Sequence, residues 1–340
     1  MNRNTSICKR LLRPATLPVL MLFASGPGLF TAVPAQAGVF PDTPDRLWPG
    51  GVIPYQYDTD VTDADQICTV EAAMDVWEGV ANIQFVPRNG EANYLLITQG
   101  TSGPRYPPPE GFRNDGEHQL LLNNWGTGAG SCNNCQAVFG LVHEFGHVLG
   151  YLHTHQSVFR DSYFNYNPNV VVAGTEGNFA IDASTLEWPP NFADIDSIMS
   201  YPLCVFSTCG NCAADLANCA PLNLKEPYAT AWAGMLTCPT QCPPPVQCVG
   251  QRNHLSDFES LLTSFLYPQP GWRFADVGST QRNEDGRFHY PYKSFPDGEA
   301  GTPGGGTLWA APGLYAGSAG VYSKTMLLKA TLSGSVLIRE

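Results

Sequence analysis

The chain is short of charge, and shortest of positive charge. Only 14% of its 340 residues are charged, with 18 Lys and Arg against 30 Asp and Glu. Such a surface argues against nucleic acid or an anionic membrane as a partner, because both are held by basic groups. Long apolar runs are also missing. Leu17 to Val33 is mostly apolar, but Gly26, Pro27 and Gly28 break it, and no other stretch is long enough to span a bilayer. No histidine lies between Cys204 and Cys248, so that cysteine-rich segment lacks the mixed Cys/His set of many structural zinc sites. Gly-Gly-x-Gly-x-Asp repeats, the mark of a calcium-binding β-roll, do not occur.

What is present starts with an export pattern. Arg3, Lys9, Arg10 and Arg13 precede the apolar stretch, and Ala35-Gln36-Ala37 is a small-x-small cleavage site. Residues 1–37 therefore read as a secretory signal, which places the protein outside the cytoplasm, extracellular or periplasmic, with no transmembrane segment once the signal is removed. Its removal leaves 14 basic against 30 acidic residues, a net charge of −16, and takes Cys8 from the 11 cysteines. Ten cysteines in an exported chain predict up to five disulfides. Cys132 and Cys135 form a CxxC pair that reads as part of this framework rather than as a redox or zinc motif. The Pro-rich stretch 204–248 reads as a disulfide-stapled insertion.

The chemistry is concentrated in Leu141 to Gln156, LVHEFGHVLGYLHTHQ. On a helix, His143 and His147 are four apart and leave one face together. Glu144 stands beside them. Gly150 permits the positive φ that ends a helix and turns the chain, so that His153 returns as a third nitrogen. Three neutral imidazoles leave one tetrahedral position of a Zn²⁺ ion open, the arrangement of a catalytic rather than a structural site. With a Met-turn the spacing is the metzincin signature, and Ser197-Ile198-Met199-Ser200-Tyr201 supplies a candidate turn. Met199 would be a soft apolar floor beneath the metal, and Tyr201 a phenol beside it. The roles of His155 and His254, near the metal or on the surface, stay open.

Elsewhere the pattern predicts an α+β fold. Leu47 to Tyr55 is a turn running into a first strand. Asp63 to Asn82 reads as a helix with Asp63 as N-cap and a core stripe of Ile67, Val70, Met74, Trp77 and Ala81. Ile83 to Pro87, Tyr94 to Thr98 and His118 to Asn123 read as strands, with a Pro/Gly loop from Gly103 to Gly116. Beyond Pro268 the chain is rich in Gly, Pro and aromatics. Tyr292 to Phe295, Gly304 to Trp309, Pro312 to Tyr315 and two stretches within Ser323 to Arg339 read as short strands, similar to the first coils of a parallel β-helix.

The zinc motif, SIMSY and the opening LWPGGVIPY together resemble the astacin family of zinc metallopeptidases, as a bacterial-type member with a divergent Cys-rich insertion. Ile83 to Arg88 followed by Tyr94, Arg160-Asp161 with Tyr163, and Leu255 to Pro268 extend the likeness over about residues 47–268. The resemblance implies a two-lobed metzincin catalytic domain, a mixed twisted sheet plus the zinc helix, with a small β-rich C-terminal extension. It implies His143, His147 and His153 as ligands of one catalytic zinc ion, Glu144 as general base and Tyr201 as fifth ligand or oxyanion stabiliser. It also implies that His118 to Asn123 is the cleft-edge strand that pairs with an extended protein or peptide substrate. The expected organisation is a signal at 1–37, a short lead at 38–46, a peptidase domain at 47–268 containing the insertion 204–248, and a Gly-rich β extension at 269–340.

The expected function is a secreted zinc endopeptidase that hydrolyses peptide bonds by zinc-activated water. Two alternatives stand beside it: a non-catalytic extracellular binding protein stabilised by zinc, and a serralysin-like peptidase. Two departures from the family pattern are visible. Thr154 follows the third histidine where astacins usually carry Glu, and only nine residues separate the signal from the catalytic segment.

Overall fold

In the computed structural model the described residues are 38–188, 194–236, 247–316, 324–331 and 336–339. The signal segment and most of the CPTQCPPPVQ stretch lie outside them. Two compact units divide the chain: residues 38–41 with 45–262, and residues 42–44 with 263–339. Among the described residues no helix is long and apolar enough to cross a membrane.

The larger unit is built on a four-stranded sheet. Strands β2 (Val52–Tyr57), β3 (Gln84–Pro87), β4 (Tyr94–Thr98) and β5 (Glu117–Leu121) run in the order β3-β2-β4-β5, all parallel. Arg105 bridges Leu121 in the antiparallel sense, so the sheet becomes mixed at its far side. The strand read at His118 to Asn123 is β5, which ends at Leu121 and is the terminal strand of this sheet, with the Arg105 bridge on its outer side at Leu121.

Helix α1 (Ala64–Glu78) begins where expected, with the Asp63 carboxylate accepting Gln66 N at 2.8 Å. It ends at Gly79, shorter than the periodicity predicts. Val70, Met74, Trp77 and Ala81 are buried, but Ile67 is only half-buried. Helix α2 (Cys135–Val148) is capped by Asn134, whose side chain accepts Gln136 N and Ala137 N. Trp77 ties the two helices, donating its indole N–H to Val142 O at 3.0 Å. A Cys68–Cys132 disulfide closes the same pair at its other end. Cys132 thus pairs with α1 and not with Cys135.

Two smaller pairings complete the unit. β1 (Gly38–Pro41) runs antiparallel to β7 (Thr185–Trp188), and β6 (Phe164–Tyr166) antiparallel to β8 (Leu222–Leu224). A second core of Tyr163, Phe164, Phe179, Ile195, Leu203, Leu222 and Trp232 lies around β6 and β8. The loop 204–219 beside it is closed by Cys204–Cys212 and Cys209–Cys219.

The smaller unit stacks short parallel strands. β9 (Trp272–Ala275), β10 (Thr307–Ala310) and β12 (Leu327–Ala330) form one sheet, and β11 (Gly313–Ala316) pairs with β13 (Val336–Arg339). Leu308, Ala310, Tyr315, Ala275 and Phe295 are its core. One expectation fails here. Ser294 caps a short helix at Phe295–Gly301, accepting Asp297 N at 3.2 Å, with Pro296 in its first turn. That is a helix start, and it ends the extended stretch that Tyr292 begins.

Candidate active site

Helix α2 delivers His143, Glu144 and His147 to one buried face. The helix stops because Gly150 takes φ +104°, a conformation costly for any residue with a Cβ. The turn is closed by Gly150 N donating to His147 O at 3.1 Å and Tyr151 N to Gly146 O at 2.9 Å. It brings His153 back beside the helix. The ligand-capable nitrogens of His143, His147 and His153 then lie within 4.8 Å of one another. His147 Nε2 and His153 Nε2 are 3.2 Å apart.

Each ring is fixed from behind at Nδ1. His143 Nδ1 bonds Ile198 O at 2.8 Å, His147 Nδ1 bonds Tyr151 O at 2.8 Å, and His153 Nδ1 bonds Gln156 Oε1 at 3.0 Å. An acceptor at Nδ1 holds the proton there and turns the Nε2 lone pair inward, which is how metal-binding histidines are oriented. Burial also keeps the rings neutral. It drives the His147 pKa down to about 4 and holds His143 and His153 well below the usual imidazole value. Three neutral, converging imidazole nitrogens fit a Zn²⁺ ion with a position to spare.

Met199 lies under the helix. Gly146 makes this possible, since a Cβ there would collide with Met199 Sδ and crowd Trp77. The turn around Met199 also holds the histidine segment: Ile198 O accepts from His143 Nδ1, and Met199 O accepts Thr154 N at 3.2 Å. Thr154 itself is buried, and its hydroxyl has no hydrogen-bond partner. Tyr201 packs close by at a tilt, its ring centroid 4.2 Å from His153 and 4.4 Å from His155. Burial pushes its phenol up to about 12, so it stays protonated at neutral pH.

Glu144 accepts Tyr106 N at 2.9 Å on Oε2. Burial pushes its carboxyl up to about 7, against the lowering pull of that hydrogen bond and of Arg252. The Arg252 guanidinium bonds Ser200 O at 3.1 Å and Gln251 O at 2.7 Å. Burial lowers its pKa to about 10, which leaves it charged.

Sequence reasoning missed what supports these groups. Glu259 is fully buried and accepts from Ser197 Oγ, Met199 N (3.3 Å) and Ser256 N (3.0 Å). Asp194 accepts Ser256 Oγ at 2.5 Å. Asp196 accepts Cys248 N at 3.3 Å and meets His254 Nε2 at 2.9 Å. His254 therefore braces the turn and does not face the metal, whereas His155 is buried against Tyr201 with Nε2 on Asn178 O. The available signal was polar residues flanking an apolar run at 251–266, too weak to name partners about 60 positions away.

The family model of the Astacin peptidase family matches residues 41–214. The tolloid dorsal-ventral patterning protein of Drosophila melanogaster is 28% identical over 252 residues, which is 73% of this chain and 20% of that protein. Zinc metalloproteinase nas-6 of Caenorhabditis elegans is 29% identical over 194 residues, 57% of this chain and 50% of that protein. The chain thus spans between a fifth and a half of the length of these two relatives. Among solved structures, high choriolytic enzyme 1, a hatching enzyme zinc-protease from medaka, aligns with TM-score 0.48 and 24% identity, covering 65% of this chain and 94% of that one.

Proposed function

This chain belongs to the astacin family of peptidases; from that premise we propose that it is a zinc metalloendopeptidase, that His143, His147 and His153 hold its zinc and that Glu144 is its general base. The observation that carries the reading is the commitment of all three Nδ1 atoms to carbonyl acceptors, which leaves three inward lone pairs beside one buried carboxyl. Zinc, when bound, supplies a Lewis acid that acidifies water and polarises a carbonyl.

The chain's own residues do the rest. Glu144 takes the proton of the attacking water and hands it to the leaving amine. Burial raises the carboxyl and a bound cation would lower it again, so that it can both take and return a proton. Tyr106 N occupies Oε2, so the other carboxylate oxygen is the one that works. Tyr201, protonated at neutral pH, donates to the oxygen that gains charge as the carbonyl is attacked. Met199 and Gly150 shape the ligand cage without touching substrate.

We further propose that the enzyme works outside the cytoplasm on protein or peptide substrates. All eight cysteines among the described residues are disulfide-bonded, which suits an oxidising compartment. The test is casein hydrolysis by the chain starting at Gly38, with and without a zinc chelator, beside Glu144→Ala. Chelator-sensitive hydrolysis is expected, with loss of nearly all activity and retention of zinc in the variant. Full activity in Glu144→Ala would refute the assignment of the base.

A further inference from the structure

The backbone amide that holds Glu144 belongs to a residue that is itself pinned at the far end of its side chain. Tyr106 is buried, and its phenol oxygen lies 2.9 Å from His118 Nδ1 and 3.0 Å from Gly111 O. His118 has no exposure to solvent. Its Nε2 is 2.9 Å from Arg113 O, and its ring packs on Trp48 (5.1 Å between centroids) and Phe112 (6.2 Å). Trp48 is anchored in turn, donating its indole N–H to Val148 O at 2.9 Å. The loop also meets the zinc helix directly, through Gly111 N donating to His147 O at 2.8 Å. Gly111 has φ +77°, and a Cβ there would collide with Arg46 O, so this approach is open only to glycine.

We propose that Tyr106 and His118 are positioning residues that form a clamp on Glu144, fixing Oε2 through the Tyr106 amide and thereby aiming Oε1 at the attacking water. The inference rests on Glu144 being the general base. Tyr106 Oη gives its one proton to Gly111 O, while His118 holds the phenol oxygen at Nδ1 and Arg113 O at Nε2, each at 2.9 Å. With the phenol held, the chain at 105–106 stays against β5, where Arg105 exchanges two hydrogen bonds of 2.9 Å with Leu121. The Tyr106 N–H then has one direction available, toward the carboxylate. A general base works only within hydrogen-bond reach of its proton, and displacements of about 1 Å can cost on the order of 100-fold in rate. The clamp supplies that register without adding a group to the reaction.

The test uses Tyr106→Phe, His118→Phe and the double variant in the full chain, beside Glu144→Gln. Tyr106→Phe keeps the ring and removes only the phenol bonds. Expected for each single variant is a fall in kcat of about tenfold, with KM within about twofold and zinc content unchanged. The double variant should be no worse than either single one, because the two residues act through one bond. Hydrogen exchange at the Tyr106 amide should accelerate in step. Wild-type kcat in Tyr106→Phe, or unchanged protection of that amide, overturns the clamp. Should His118→Phe fail to fold, Tyr106→Phe carries the test alone. Glu144→Gln separates the two levels. If it retains activity, the base assignment fails. If it is inactive while Tyr106→Phe is normal, only the clamp fails.

Discussion

Two neighbouring stretches of the larger unit are made rigid by opposite means. The turn at 194–200, which carries Met199 and leads to Tyr201, contains no cysteine and is held by buried carboxylates: Glu259 on Ser197 and Met199, Asp194 on Ser256, Asp196 on Cys248 N and His254. The loop at 204–219 is held by two local disulfides that span 8 and 10 positions. A disulfide limits how far a loop can wander, mainly by restricting the unfolded chain. A buried hydrogen-bond network fixes individual atoms, because any slip leaves a polar group unpaired. Beneath the three imidazoles, where Ile198 O meets His143 and Met199 O meets Thr154 N, the second device is the one in use.

That contrast can be broken from either side. The largest effect should come from Glu259→Ala, which strips the acceptor from Ser197 Oγ and Ser256 N in one step and leaves Met199 N with Ser197 Oγ alone. A loss of about 4 kcal/mol in denaturant unfolding is expected, together with loss of caseinolysis; a stable, active variant would show that the carboxylate is dispensable. Next, replacing Cys204 and Cys212 with Ser should cost about 2.5 kcal/mol by loop-closure entropy. The folded fraction should retain kcat, and a kcat loss larger than the unfolded fraction would mean that the disulfide positions the site after all.

Gly146→Ala should cost about 2 kcal/mol through overpacking against Met199, read as a lower melting temperature with weaker zinc retention. The smallest effect concerns pH. Burial raises the carboxyl of Asp194 first, with the nearby Glu259 charge adding to it. A raised acid binds more protons folded than unfolded, so its contribution to stability is present below the unfolded carboxylate value and is lost as pH rises through the folded one. Asp194→Asn should flatten the decline in stability as pH rises above the ordinary carboxylate range, measured by denaturant unfolding against pH; an unchanged slope would show that Asp194 does not contribute to it.

The convergence of the three histidines was readable in the sequence because its information is local. Four- and six-residue spacings, one glycine and one capping residue set where His143, His147 and His153 go, and each is a matter of helix geometry. SIMSY was readable as a turn for the same reason. The groups behind them were not. Tyr106 sits 38 positions before Glu144, and Glu259 sits 60 after Met199; nothing in a Pro/Gly loop or a polar-apolar helix start says which distant atom it will meet. His118 to Asn123 has the composition of a strand, and the fold places it last in the sheet, but the Arg105 bridge at its end could not be read from local pattern. The helix at Phe295–Gly301 was a different kind of miss. Ser294 and Pro296 are a local start signal, outweighed by the strand-like aromatics around them.

The three carbonyl anchors of the histidines come from three separate places: the Met199 turn, the turn after α2, and the side chain of Gln156. All three are bonds within the protein, so folding itself orients the rings and meets part of the cost of assembling the cage. A chelator is therefore expected to leave a folded protein that takes zinc back without refolding, and loss of the far-UV dichroism on chelation would overturn this.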